Sequence, residues 1–510
     1  MPDAKLAQVD FSAGMYRTGR RDGIPPNGFY DAANGLIDGL GSVYKRGGTA
    51  YLASAFGAAG LRFIWDGWTA AGQKTIVATP SKFGTVAAGS VTNINGTGMT
   101  NPGRAAVFKG KVYLPGGSTY DGTTLGTCEK AVSFYATAGN RVLAGEKDTI
   151  FFSEIKFEPE KVTVEPDKYA ANDFHKLPGG VEILGLEGIR DRCAVFSTSG
   201  IWLISGLSKA LVDGVGNVQQ SLDLYNSNFT LWGNAGIAGW EGALVVPGTD
   251  GIYLMTLGVS SERHGFARIS DPIVETYRSY VRSGYTPGQA TVYKGHYLLP
   301  IIGAGDVVDL LVCRLDLPGR PWTRLEGNGA KVAALTTRVV SGASRTPELL
   351  GALYSSPTSR PITCSYLEPS ANVETDHDGS QINFSLTSRA ITTGNLVPNL
   401  VRRLRARYEL TGASAPTVEA QVLAESEQAP VSGAKWGAFK WGGATWGTPA
   451  ELSFEGLETV GTVDVGGTTS HVWHPRRKRR FVTFRLVSNA KTSKLVVRSL
   501  EVFVRLTGRQ

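Results

Sequence analysis

The chain has 510 residues, of which 42% are hydrophobic, 19% are charged and 64 are glycine. This supplies apolar material for two or three domains and excludes a disordered chain, while glycine without a collagen period signals many turns and an all-β chain. The net charge is +8 and unevenly placed: residues 401–510 hold 17 Lys and Arg against 9 Asp and Glu, and the other 400 residues hold 35 of each. A basic C-terminal part calls for a polyanion or an acidic protein as neighbour.

In chain order, residues 1–56 read as a strand, a turn at Pro25-Pro26, a short turn segment and a hairpin closing at Asp38–Gly41. A repeating unit follows: apolar strand, tight turn, apolar strand, turn, apolar strand. The spacing predicts strands at residues 61–66, 74–79, 83–87 and 90–94, then at 105–109, 111–115 and 118–121, with Lys109-Gly110 as a turn. The unit recurs at 131–137, 141–144 and 149–153, with Ala138-Gly139-Asn140 as the turn. It recurs again from residues 181, 235 and 289. A period of roughly 30 to 50 residues predicts β-propeller blades, about six of them. A further strand pair at 331–337 and 348–354 either finishes the sixth blade or begins a seventh, and the strand near 48–53 is the expected ring closure.

The predicted propeller spans 57–354, with insertions at 154–180, 206–233 and 257–288 expected to form packing or binding loops. Within the third insertion, Asp271–Arg282 is predicted helical, capped by Ser270, with Ile273, Val274, Tyr277 and Val281 on one face. Residues 355–380 are a predicted linker containing Pro357, Pro361, Pro369 and the acidic patch Glu374–Asp378. Residues 381–510 alternate in the manner of a basic β-sandwich, as in Val502-Phe503-Val504-Arg505-Leu506.

Two stretches of that domain are candidate contact sites. One is the run Lys435–Gly447, in which Trp436, Trp441 and Trp446 each precede a glycine at five-residue spacing. It reads either as an aromatic surface for a partner or as a glycine-rich loop whose tryptophans fold back on the sandwich. The other is Arg476, Arg477, Lys478, Arg479 and Arg480, five consecutive cations. They suit DNA phosphates or an acidic partner, or else form a solvated hairpin at a sheet edge. His471 and His474 are three apart with no third ligand beside them, so no zinc is expected.

The catalytic search is negative. No Gly-x-Ser-x-Gly elbow, phosphate-binding loop or His-Glu-x-x-His occurs, and the six histidines are dispersed. Asp376-His377-Asp378-Gly379 begins like a calcium loop, but Gln381 and Thr387 stand where Gly and Glu belong. Cys128, Cys193, Cys313 and Cys364 lie far apart and are expected to be buried free thiols. The start lacks a signal-peptide apolar region and no run of about 18 apolar residues occurs. A cytoplasmically folded chain without a membrane span, without cofactor and without enzymatic activity is expected.

The order Phe11-Ser12-Ala13-Gly14, Ile24-Pro25, Ala32-Ala33-Asn34 and Gly41 to Lys45-Arg46-Gly47-Gly48 extends over about 40 residues. It resembles the N-terminus of bacteriophage tail nozzle or tail tubular proteins and of packaged-DNA stabilisation proteins of the head–tail connector. The resemblance implies a virion structural protein with a β-propeller and further β domains. It implies a homo-oligomeric ring, sixfold, that continues the DNA channel, retains the genome and releases it at ejection. The portal or adaptor and the fibre or spike proteins would be its neighbours. The alternatives are a carbohydrate-binding propeller and a tail-associated polysaccharide hydrolase. The first predicts tryptophans at equivalent blade positions, but Trp65, Trp202, Trp240 and Trp322 occupy different ones.

Overall fold

The structure, a computed structural model, describes residues 4–17, 23–57, 59–94, 98–158, 161–189, 191–207, 220–257, 265–304, 306–340, 346–354, 359–368, 375–392, 399–412, 418–423, 454–460, 467–474, 477–479, 481–488 and 493–505. The chain divides into two compact units: Thr49–Asp316 with Asn328–Ser365, and Met1–Gly48 with Leu317–Gly327 and Tyr366–Gln510.

The first unit is a β-propeller. Residues 63–93, 106–127, 134–176, 183–226 and 238–268 each form a sheet of four antiparallel strands joined in chain order. The sixth blade contributes Thr291–Tyr293, His296–Ile302 and Val307–Arg314. The open strand pair begins a seventh blade, of Val332–Val339, Pro347–Leu353 and Pro361–Cys364. Its outermost strand is Thr49–Tyr51, with Ala50 opposite Thr363, so a strand from early in the chain closes the ring as expected.

The turns explain why the blades form locally. Lys109-Gly110, Gly139-Asn140, Glu241-Gly242 and Lys294-Gly295 all have positive φ at both residues. That is the two-residue hairpin geometry that matches strand twist, and each such pair joins the first and second strands of a blade. Gly110 is needed twice over: its φ is +76°, and a Cβ there would stand 2.7 Å from Ala70 N in the neighbouring blade's turn.

Apolar clusters between blades hold the ring. Phe63, Ile76 and Met99 meet Val112, Leu114 and Tyr120 between blades 1 and 2. Leu61, Ile64 and Val77 meet Ala334, Leu350 and Ala352 between blades 1 and 7. Gln289 adds a polar stitch: its Nε2 donates to Ile64 O at 2.7 Å and Leu335 O at 3.3 Å, tying blades 1 and 7 through the approach to blade 6. All four cysteines are buried and free.

The insertions are mostly blade. Lys161–Lys176 is the fourth strand of blade 3, and it bulges between Glu165 and Tyr169. The bulge places Asp167 against blade 2, where Tyr113 OH donates to it at 2.7 Å and Lys111 pairs with it. Burial and that carboxylate hold the Tyr113 phenol well above its ordinary value. Ser221–Asn226 and Gly265–Arg268 complete blades 4 and 5. The predicted helix is a 3-10 turn, Asp271–Ile273, running into an α-helix, Val274–Arg282. Ser270 does not cap it; its Oγ instead accepts from Ile252 N at 2.8 Å. Tyr280, not Val281, joins Ile273 and Tyr277 among the buried residues.

Residues 355–380 are not simply a linker. Pro361 starts a blade 7 strand, a first-residue position where its missing N–H is tolerated. Asp376, within the acidic patch, is buried in the second unit.

The second unit is a β-sandwich that takes in the N-terminal segment. One sheet runs Gly35–Ile37, Val43–Lys45, Ser493–Arg505, Asn399–Gly412, Gly467–Trp473. Ala4–Gln8 flanks Ser493–Arg505. The other contains Gly28–Ala33, Phe384–Ser388, Phe484–Ser488, Val418–Leu423 and Phe454–Val460. Trp473 of the first sheet meets Phe484 of the second edge-on at 5.7 Å. Residues 1–48 therefore belong to this fold rather than forming a separate lead-in to the propeller.

Candidate functional site

The residues that carry the N-terminal motif lie together inside the sandwich unit. Phe11, Gly14, Ile24, Ala32, Ala33, Asn34, Gly35, Lys45, Arg46, Gly47 and Gly48 are all buried. Gly14 has φ +79° and its missing Cβ would collide with Pro321 Cβ at 2.6 Å, so no other residue fits. Asn34 takes φ +57°, a left-handed position that asparagine tolerates better than most residues. Its Nδ2 donates to Asn383 O at 2.7 Å, and its Oδ1 accepts from Arg46 Nε at 2.8 Å and Glu326 N at 2.9 Å.

Arg46 is the centre of this network. Nη1 and Nη2 grip the Asp376 carboxylate at 2.8 and 2.9 Å, and they also donate to Gly47 O at 3.0 Å and Glu326 O at 3.1 Å. With Nε on Asn34, all five N–H groups of the guanidinium have an acceptor. The Tyr366 ring lies 5.4 Å from its carbon. Asp376 thus pairs with arginine, and no group of three or more His, Cys, Asp and Glu that could hold a metal ion occurs among the described residues. A second pair lies nearby in sequence: Asp31 holds Arg324 through Nε and Nη2, both at 3.0 Å, and Arg17 at 2.7 Å. Burial pushes the Asp31 carboxyl up, but the two arginines outweigh it and hold it below its ordinary value.

The outward face of the first sandwich sheet is basic. In Arg403-Leu404-Arg405-Ala406-Arg407-Tyr408, Leu404, Ala406 and Tyr408 are fully buried and the arginines take the opposite face. Arg403 and Arg405 lie over the Phe503 ring at 5.0 and 5.3 Å. Glu501 serves three cations: Lys5 at 3.1 Å, Arg405 Nε at 2.6 Å and Arg407 at 3.6 Å. Its burial would raise the carboxyl, but the hydrogen bonds from Arg405 and Lys5 leave it below the ordinary range. This row was legible as Arg at every second position beside small or apolar residues, yet it was not among the sequence candidates.

Of the five-cation run, Arg477–Arg479 form a short strand on the edge of Asn399–Gly412, with Arg477 opposite Val401 and Arg479 opposite Asn399. The run therefore extends the same sheet that bears the arginine row. Arg476 and Arg480 lie outside the described residues, as do Trp436, Trp441 and Trp446.

On the propeller, a cleft of about 750 Å³ opens beside blades 4 and 5, lined by Arg192, Ser205, Asp223, Tyr225 and Phe266 among others. Tyr225 and Phe266 meet edge-on at 6.1 Å, and Tyr225 OH donates to Gly265 O at 3.0 Å. Asp223 is its one carboxylate among the described lining residues, whereas a glycoside hydrolase of the usual kind needs two.

No family model matches the chain, and no curated protein does. Among solved structures the chain is similar to YCF48 from Cyanidioschyzon merolae, at 9% identity and a TM-score of 0.36, over 63% of this chain and 99% of that one. Among the described residues no helix is long and apolar enough to cross a membrane.

Proposed function

We propose that the protein is a structural component of a bacteriophage tail. It would be one subunit of a closed sixfold ring, a nozzle or connector, that continues the DNA channel below the portal or adaptor. The ring holds the packaged genome and lets it pass at ejection, with fibre or spike proteins docking beside it. Its work is mechanical, carried by sheet hydrogen bonding and rigid packing. A ring of identical heterologous contacts is the natural closure for such a channel.

The observation that supports this reading is where the motif residues sit. Among the residues that carry the resemblance to phage tail proteins, Phe11, Gly14, Ile24, Ala32–Gly35 and Lys45–Gly48 are buried framework, with Asn34 bonded to Arg46 and all five N–H groups of Arg46 bonded inside it. A buried, internally bonded motif specifies a scaffold rather than a ligand site, so what the resemblance carries is architecture. Immunogold labelling tests the proposal: an antibody against this chain should decorate the tail of the particles its gene encodes. Label on no particle, or on capsids alone, overturns it.

A further inference from the structure

We propose that the outward face of the first sandwich sheet binds the phosphate backbone of a nucleic acid through the row Arg403, Arg405 and Arg407. The inference stands on this sheet face alone and does not depend on the tail reading.

The spacing is the first support. Alternate residues of a strand are about 6.8 Å apart. One DNA strand carries a phosphate per roughly 3.4 Å of axis and winds round that axis, so successive phosphates lie about 7 Å apart along the backbone and a row of this spacing meets them one by one when it follows that strand. Charge is the second. Lys5, Arg403, Arg405, Arg407 and Arg498 share this region of the sheet with two carboxylates, Glu501 and Glu409. Glu501 is 2% exposed beneath its three cations, whereas Arg407 is 49% and Lys5 46% exposed. The carboxylate orients Arg405 and Arg407 from below. Arg477–Arg479 extend the same sheet along Asn399–Val401, carrying the basic sequence further along one edge.

The face also favours nucleic acid over protein. Protein interfaces have an apolar centre depleted in charge. Here Phe503, on the neighbouring strand, lies beneath Arg403 and Arg405. Nucleic-acid interfaces are more polar and far more positive. The contacts proposed are to phosphate, so binding carries no base sequence preference.

The test uses the full chain and a short fluorescent DNA duplex, with anisotropy titrations between 50 and 200 mM salt. Wild type should bind with a steep salt dependence. Arg403→Gln/Arg407→Gln should weaken binding and lower the slope of log affinity against log salt by about 1.8, from 0.9 per lost phosphate contact. The lysine pair, Arg403→Lys/Arg407→Lys, should restore most of the slope, which a merely damaged sheet would not allow. Arg338→Gln, on the propeller, should change nothing. No duplex binding at 50 mM salt, or an unchanged slope in the glutamine pair, overturns the proposal. So does poly-glutamate binding that depends on the same arginines while DNA does not bind, which would assign the face to an acidic protein. A monomer that binds DNA through the row would sink the ring and leave this inference standing. A ring that ignores DNA would do the reverse.

Discussion

Removing Arg46 should open the sandwich unit. The guanidinium satisfies five acceptors, and Asp376 beneath it is 2% exposed. Arg46→Ala takes the arginine away from that buried carboxylate and from the Glu326 and Gly47 carbonyls. Breaking a buried pair on one side costs about 3–5 kcal/mol. Arg46→Lys keeps the charge but not the planar fork, and should lose about 1–3 kcal/mol. Arg46→Met/Asp376→Leu removes both charges and should recover the charge-pair part of the loss, leaving the Glu326 and Gly47 carbonyls without Arg46, so it should be clearly less damaged than Arg46→Ala. A chain of two units is unsuited to a single unfolding free energy, so hydrogen exchange of Gly28–Ala33 and Phe384–Ser388 is the assay. It reads the local opening energy of the strands next to the network. A loss below about 1 kcal/mol in Arg46→Ala, or a double variant as damaged as the single one, would refute the charge-pairing argument.

Glycine substitutions should separate two kinds of turn. Gly89 has φ +77° with open space around its missing Cβ, so Gly89→Ala should cost about 1–2 kcal/mol from the left-handed backbone alone. Gly110→Ala adds the 2.7 Å clash with Ala70 N and should cost clearly more, seen as a larger fall in melting temperature. Gln289→Leu should loosen the junction of blades 1 and 7 by about 1–3 kcal/mol, read by exchange at Ile64 and Leu335, because it strands two carbonyls. Acid should destabilise in two stages. His296 is buried with its pKa lowered, so the unfolded chain protonates first and stability begins to fall as pH drops below about 6.5. Asp31 and Glu501 have lowered values, so their contribution is full above about 4 and is lost as pH falls further. A melting temperature flat from pH 7 to about 3 would contradict both assignments.

The blades were legible because their information is local. A Lys-Gly or Asn-containing pair with positive φ sits between two apolar strands a few residues apart, and each strand pairs with its neighbour in sequence. The closing strand was also legible, since a propeller needs an outer strand for its last blade and Thr49–Tyr51 was the free apolar segment. The sandwich was legible only in its C-terminal half. Ala4–Gln8 pairs with Leu500–Val504 and Gly28–Ala33 with Ser385–Ser388, partners that no local pattern announces. The same distance hid Asp376, which lies 330 residues from Arg46 and reads in isolation as a surface acidic patch. The second insertion was assigned as a loop because its strand, Ser221–Asn226, mixes polar with apolar residues and is half-exposed. The arginine row alternates plainly along its strand, but the denser run at Arg476–Arg480 draws attention first.

The central claim, a ring around a DNA channel, is tested most directly by the mass of the purified chain in solution over a range of concentrations, with negative-stain imaging of the same sample. The account predicts closed rings of about six copies, the symmetry the proposed tail role carries, with an open centre. A monodisperse monomer at every concentration, with no rings on the grid, would contradict it.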